Sequence, residues 1–151
     1  MVTELIAPIT EDLRKEDRRM DIIKGQEGMI VKDETMVAAL ATAGVETGDW
    51  VVKGASGLEA PGAGAVANTY PVLVGNDQTD SKATGKATII LGGGIIYRTV
   101  KFAAGSYTAG QNLTIKGGKV PTAADAGDPV LCRVYSAPDA AGVMEILVLN
   151  R

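Results

Sequence analysis

The chain has 151 residues, 46% hydrophobic and 22% charged, with a net charge of −3, a pI near 5.0 and no histidine. That length supports a self-sufficient core, while the acidic balance and 4% aromatic content argue against a nucleic-acid binder, which needs cations for phosphates and rings for bases. The missing histidine removes Ser-His-Asp and Cys-His nucleophilic catalysis and every histidine-ligated metal site.

Charge is concentrated at the start of the chain. Residues 1–34 hold six of the 15 Lys/Arg and nine of the 18 Asp/Glu. The densest stretch, EDLRKEDRRMD from Glu11 to Asp21, follows Thr10, a residue type suited to N-capping, and Glu11 and Asp12 suit a first helical turn. Ile9 and Leu13 lie one turn apart with Met20 a heptad further on, a stripe too narrow to anchor a helix on a core. Residues 1–27 therefore read as a charged N-terminal arm, either a solvated helix or an extension that orders on a neighbouring molecule. In the second case Leu5, Ile6, Pro8, Ile9 and Leu13 are its contact residues. No basic segment leads into an apolar run, and no run approaches about 18 apolar residues, so neither a signal peptide nor a membrane span is expected.

Residues 28–151 read as a β-domain. Short apolar runs at 29–32, 50–53, 71–75, 87–91, 95–102, 112–116, 130–136 and 143–149 are the expected strands. Glycine-rich or polar turns separate them: GASG, GNDQTDS, GGG, AAGSYTAG, KGGK, AGD and APDAAG. The segment ETMVAALAT, Glu34 to Thr42, fits a short helix or a buried strand equally. Cys132, between apolar neighbours in PVLCRVY, is expected to be a packed thiol, and a single cysteine suits folding in a reducing compartment. The expected fold is all-β, a small β-barrel or β-sandwich of short antiparallel strands with an extended or partly helical N-terminal arm.

Two stretches echo each other. TGDWVVKGASGLEAP and AGQNLTIKGGKVPT each run glycine, polar residue, strand, Lys-Gly, glycine turn and short apolar return. A third start of this kind is Gly127-Asp128-Pro129-Val130. The expectation is three tight turns that launch strands, with Gly accepting positive φ and Asp bonding the local backbone.

Nucleotide-binding patterns fail on context. Gly62, Gly64 and Ala67 spell G-x-G-x-x-A, but Pro71 stops any helix that would carry the phosphate site. Gly85-Lys86 and Gly118-Lys119 lack the hydroxyl that a P-loop places on Mg²⁺. Gly92, Gly93 and Gly94 sit between KATIIL and IIYRTVKF, so they read as a hairpin reversal, and Gly117 and Gly118 as a second structural turn. Gly93→Val is expected to damage folding or assembly. Asp77 and Asp80 do not match an EF-hand loop. A carboxylate pair of the glycosidase type meets only in space, so sequence leaves it open. No cofactor or metal is expected.

Four segments in order, Gly48-Asp49-Trp50-Val51-Val52, Thr69-Tyr70-Pro71-Val72-Leu73-Val74-Gly75-Asn76, Ala83-Thr84-Gly85-Lys86-Ala87-Thr88-Ile89-Ile90 and Gly127-Asp128-Pro129-Val130, resemble the capsid decoration (cement, head-stabilising) proteins of tailed bacteriophages. The resemblance covers roughly residues 46–150. It implies a non-enzymatic structural virion protein on the capsid exterior, assembled in the bacterial cytoplasm. Its implied partners are the major capsid protein and neighbouring copies of itself, commonly as a homotrimer, with no nucleic acid and no membrane. The alternatives are another phage structural β-module, from tail, baseplate or fibre, and a small β-barrel binding module or enzyme.

Overall fold

A computed structural model describes residues 20–24, 31–74 and 85–149. The described chain is mostly β. In order it runs β1 (Asp21–Lys24), β2 (Val31–Thr35), α1 (Ala38–Ala43), β3 (Trp50–Gly54), β4 (Gly57–Glu59), β5 (Thr69–Val74) and β6 (Lys86–Ile90). It continues through β7 (Ile96–Thr99), β8 (Asn112–Ile115), β9 (Pro121–Ala123), β10 (Cys132–Ser136) and β11 (Met144–Val148). Two antiparallel sheets form, one ordered β1-β7-β11-β10-β8-β9 and the other β2-β6-β5-β3-β4. Neither closes into a barrel, so the fold is sandwich-like. The ambiguous segment 34–42 contains both alternatives: β2 ends at Thr35, and α1 begins after Val37. Gly44 ends α1 at φ 92, donating its N–H to Leu40 O at 2.9 Å.

The sheet orders expose a duplication that the sequence shows only faintly. Strands β2 to β6 and strands β7 to β11 follow the same path, in which the first strand pairs with the last, the last with the fourth, the fourth with the second and the second with the third. The register repeats as well. Trp50 faces Pro71 and Val51 faces Tyr70, as Asn112 faces Arg133 and Leu113 faces Cys132. β5 bulges against β6 between Val72 and Val74, as β10 does against β11 between Val134 and Ser136. Even the contact that curls each sheet recurs: Val37 N–H donates to Leu58 O at 2.9 Å, and Ala103 N–H to Pro121 O at 2.8 Å. Bulges and registers are specified by turn geometry and facing side chains, so agreement at all these points identifies two tandem copies of one five-stranded unit.

The echoed turns are the signature of that unit. Gly48, Gly110 and Gly127 have φ values of 93, 87 and 91. The residue after each accepts a backbone N–H three positions back: Asp49 Oδ2 from Glu46 at 2.9 Å, Gln111 Oε1 from Thr108 at 3.0 Å and Asp128 Oδ2 from Asp125 at 2.9 Å. The first two turns also dock alike. Gly48 N–H donates to Val72 O and Gly110 N–H to Val134 O, and the N–H groups of Val72 and Val134 return bonds to Asp49 O and Gln111 O. The three turns lead into β3, β8 and β10, as their sequence pattern predicts.

The triple glycine differs from expectation. β6 and β7 belong to different sheets, so residues 92–94 are the link between the two copies and not a hairpin. β6 already has β2 on one side and β5 on the other, which leaves no edge for β7 to join. Of the three, Gly94 alone has positive φ, at 83, and its N–H bonds Val148 O at 2.7 Å as the chain docks on β11. Gly117, at φ 71, and Gly118 lie in the β8–β9 hairpin, whose loop bonds across to the other copy through Trp50 N–H to Lys119 O at 2.7 Å.

Two cores result. Between the sheets lie Trp50 and Ile90 from one side and Tyr97, Leu113, Val134, Met144 and Ile146 from the other. The opposite face of the five-stranded sheet buries Val51, Val72, Ala87 and Ile89 against Met36 and Leu40. β3 is thus buried on both faces, which explains why WVV runs without alternation. Cys132 is buried in the first core, as its apolar neighbours predict. Met20 joins that core and β1 pairs with β7, so residues 20–24 belong to the sandwich although they fall within the span 1–27 read as an arm.

Candidate functional site

A buried side-chain hydrogen bond joins the two copies. Trp50 Nε1–H donates to the Tyr97 hydroxyl at 3.0 Å, and both residues are fully buried. Burial pushes the Tyr97 phenol well above its ordinary value, Cys132 adds to this, and the bond from Trp50 opposes it. The hydroxyl is therefore held neutral as an acceptor for the indole.

Two of the three repeated turns carry a lysine. Lys101 Nζ lies 2.6 Å from Glu46 Oε1 and 3.1 Å from Asp49 Oδ1, tying the turn before β3 to the segment after β7. Desolvation lowers the Lys101 pKa, but the Glu46 bond and the Asp49 charge outweigh it and the net shift is upward. Lys116 Nζ lies 2.6 Å from both Asp125 Oδ2 and Asp128 Oδ2. Its pKa is raised, chiefly by the bond to Asp125, and that of Asp128 is lowered, chiefly by the bond to Lys116. A nucleophilic or basic lysine needs its pKa depressed. Both of these are held as ammonium ions, so their chemistry is charge pairing. Among the described residues no three His, Cys, Asp or Glu side chains come together as a metal site, and no helix is long and apolar enough to cross a membrane.

Leu5, Ile6, Pro8, Ile9 and Leu13 lie outside the described residues, as do Asp77 and Asp80. Gly92, Gly93 and Gly94 are separated from Gly117 and Gly118 by strands β7 and β8. Gly62 and Gly64 fall in an exposed loop between β4 and β5 where an added Cβ meets nothing within 4 Å. A strand, not a helix, follows that loop, and Pro71 sits within it opposite Trp50.

Sequence reasoning missed the edges. β1 covers the outer side of β7, whereas the outer side of β2 has no strand partner among the described residues. The chain just after β2 is held there by the bridge of Met36 to Leu58 and by the bond from Val37 N–H to Leu58 O. At that point Gly57 adopts φ +136, and a Cβ on it would sit 2.7 Å from Thr35 O. Short of Thr35, where β4 approaches, an edge of this kind presents unpaired N–H and C=O groups to an extended chain, which makes residues 31–34 the candidate interaction surface of this protein. The signal for it, a strand equivalent to β7 with no second neighbour among the described strands, emerges only from the sheet order.

No family model matches the chain, and no curated protein matches it.

Proposed function

We propose that this chain is a structural virion protein that binds the outer surface of a tailed-phage capsid and stabilises the shell, with the major capsid protein and neighbouring copies of itself, as a trimer, for partners. The reading is supported by the join between arm and sandwich. The charged segment leads through Met20 directly into β1, an edge strand of a compact sandwich, so an ordered arm would be anchored to the rigid body at its outermost strand. The described parts of the four segments that resemble decoration proteins form β3, β5, β6 and the turn before β10, which are adjacent or equivalent parts of the duplicated unit. Such a body gains affinity from several weak contacts to a repeating lattice and needs no catalytic constellation.

The test is addition of the purified full-length protein to undecorated phage heads, followed by imaging and thermal release of packaged DNA. Regular surface density and a higher release temperature are expected. Heads that stay bare at saturating protein would overturn the reading. Ile9→Ser with Leu13→Ser is expected to lower occupancy without changing the melting of the free protein.

A further inference from the structure

The two copies share strand order and register and differ in the segment between their first and second strands, which holds α1 in the first copy alone, and at their outer edges. In the second copy the outer side of the first strand, β7, is paired with β1, with Asp21 facing Arg98 and Ile22 facing Tyr97. In the first copy the corresponding side of β2 is unpaired among the described strands. Two features beside that edge recur: the pairing of the first strand with the last on its inner side and the bond that closes the sheet just beyond the strand. The unit therefore has two equivalent places for a strand, of which the described strands fill one.

We propose that the outer edge of β2 is a strand-acceptor site, occupied by the N-terminal segment of a second copy of this chain. The chain has one β1 and two such edges, so β1 cannot serve both. Nineteen residues precede Met20, and a partner for residues 31–34 of β2 needs only about 14 Å of extended chain. Val2 to Ala7, VTELIA, alternates Val2, Glu4 and Ile6 with Thr3, Leu5 and Ala7 and is free of proline until Pro8. β2 reads VKDET, and its three charges disfavour indiscriminate pairing at an exposed edge. A segment delivered by a neighbouring copy overcomes this through high effective concentration. Each chain then gives one arm and accepts one, which generates closed oligomers if the geometry returns to the first copy.

The inference concerns the free protein and does not depend on the capsid reading, so the test uses purified full-length chain alone. Hydrogen exchange is followed at the β2 amides with β7 as internal reference, since β7 is covered by β1 within the chain. Exchange at β2 is expected to slow by roughly tenfold or more as concentration rises, in step with an increase in mass by sedimentation, while β7 is unchanged. Leu5→Pro removes a backbone N–H and breaks strand pairing. It is expected to abolish the concentration-dependent protection of β2 while leaving β7 protection and melting of the dilute protein as in wild type. Protection of β2 that is independent of concentration assigns the edge to the same chain and overturns the proposal. So does protection that survives Leu5→Pro, or β2 amides that exchange freely in an associated wild-type protein.

Discussion

Replacing Tyr97 with Phe removes one oxygen from the contact between the two sheets. Trp50 and Tyr97 are fully buried, and the indole N–H has the Tyr97 hydroxyl as acceptor at 3.0 Å. The Phe ring preserves the packing and leaves the donor unmet, which costs about 1–3 kcal/mol. At the middle of that range Tm falls by roughly 4–8 °C for a domain of this size. Trp50→Phe removes the donor together with ring volume, and the void raises the loss to about 3 kcal/mol or more. Urea titrations of both single variants and the double variant measure the coupling, which is expected to make the double loss smaller than the sum. The alkaline limb gives an independent readout. The folded pKa of Tyr97 is raised above its ordinary 10.0, so the stability it confers is full below about pH 10 and declines as pH rises toward the folded value. Tyr97→Phe is expected to flatten that decline. A Tyr97→Phe protein that melts within about 1 °C of wild type, with additive losses in the cycle, would refute the contact as a clasp between the copies.

Gly57→Ala places a Cβ 2.7 Å from Thr35 O at φ +136, and is expected to destabilise by more than about 1 kcal/mol in chemical denaturation; a neutral result would mean the two edges do not meet there. Gly94→Ala is expected to destabilise through φ 83 alone, since its Cβ would meet nothing within 4 Å, whereas Gly93, without positive φ, is expected to accept Ala with little change in Tm. Thr114→Val is expected to be neutral or slightly stabilising by calorimetry, because its buried hydroxyl has no partner to lose. The depressed pKa of Asp128 means that its contribution is present above the unfolded carboxylate range near 3.8 and is lost as pH falls through the lower folded value. Lys116→Met is expected to make the melting temperature less sensitive to pH below about 4.

The sequence by itself determined the local architecture. Glycine followed by Asp or Gln, then a β-branched or aromatic run, specifies a turn and a strand from within a few residues, because positive φ and the side-chain bond to the backbone are local properties. That is why the turns at Gly48, Gly110 and Gly127 and the strands after them were legible, and why the Ala/Gly loop at Gly62 and Gly64 was readable as a loop before a strand. β1 was not legible: DIIK lies in a charge-rich stretch, and what makes it a strand is the free side of β7, which is distant in sequence. The triple glycine misled for the same reason, since its flanks permit a hairpin and only the occupancy of both sides of β6 forbids one. Duplication is the extreme case. Its two halves share few side chains, because many sequences satisfy one backbone register, yet they share sheet order, bulge position and closing bond. Those are relations between strands, set by hydrogen-bond partners that no local pattern names, and from them alone came the edge of β2 that no described strand pairs.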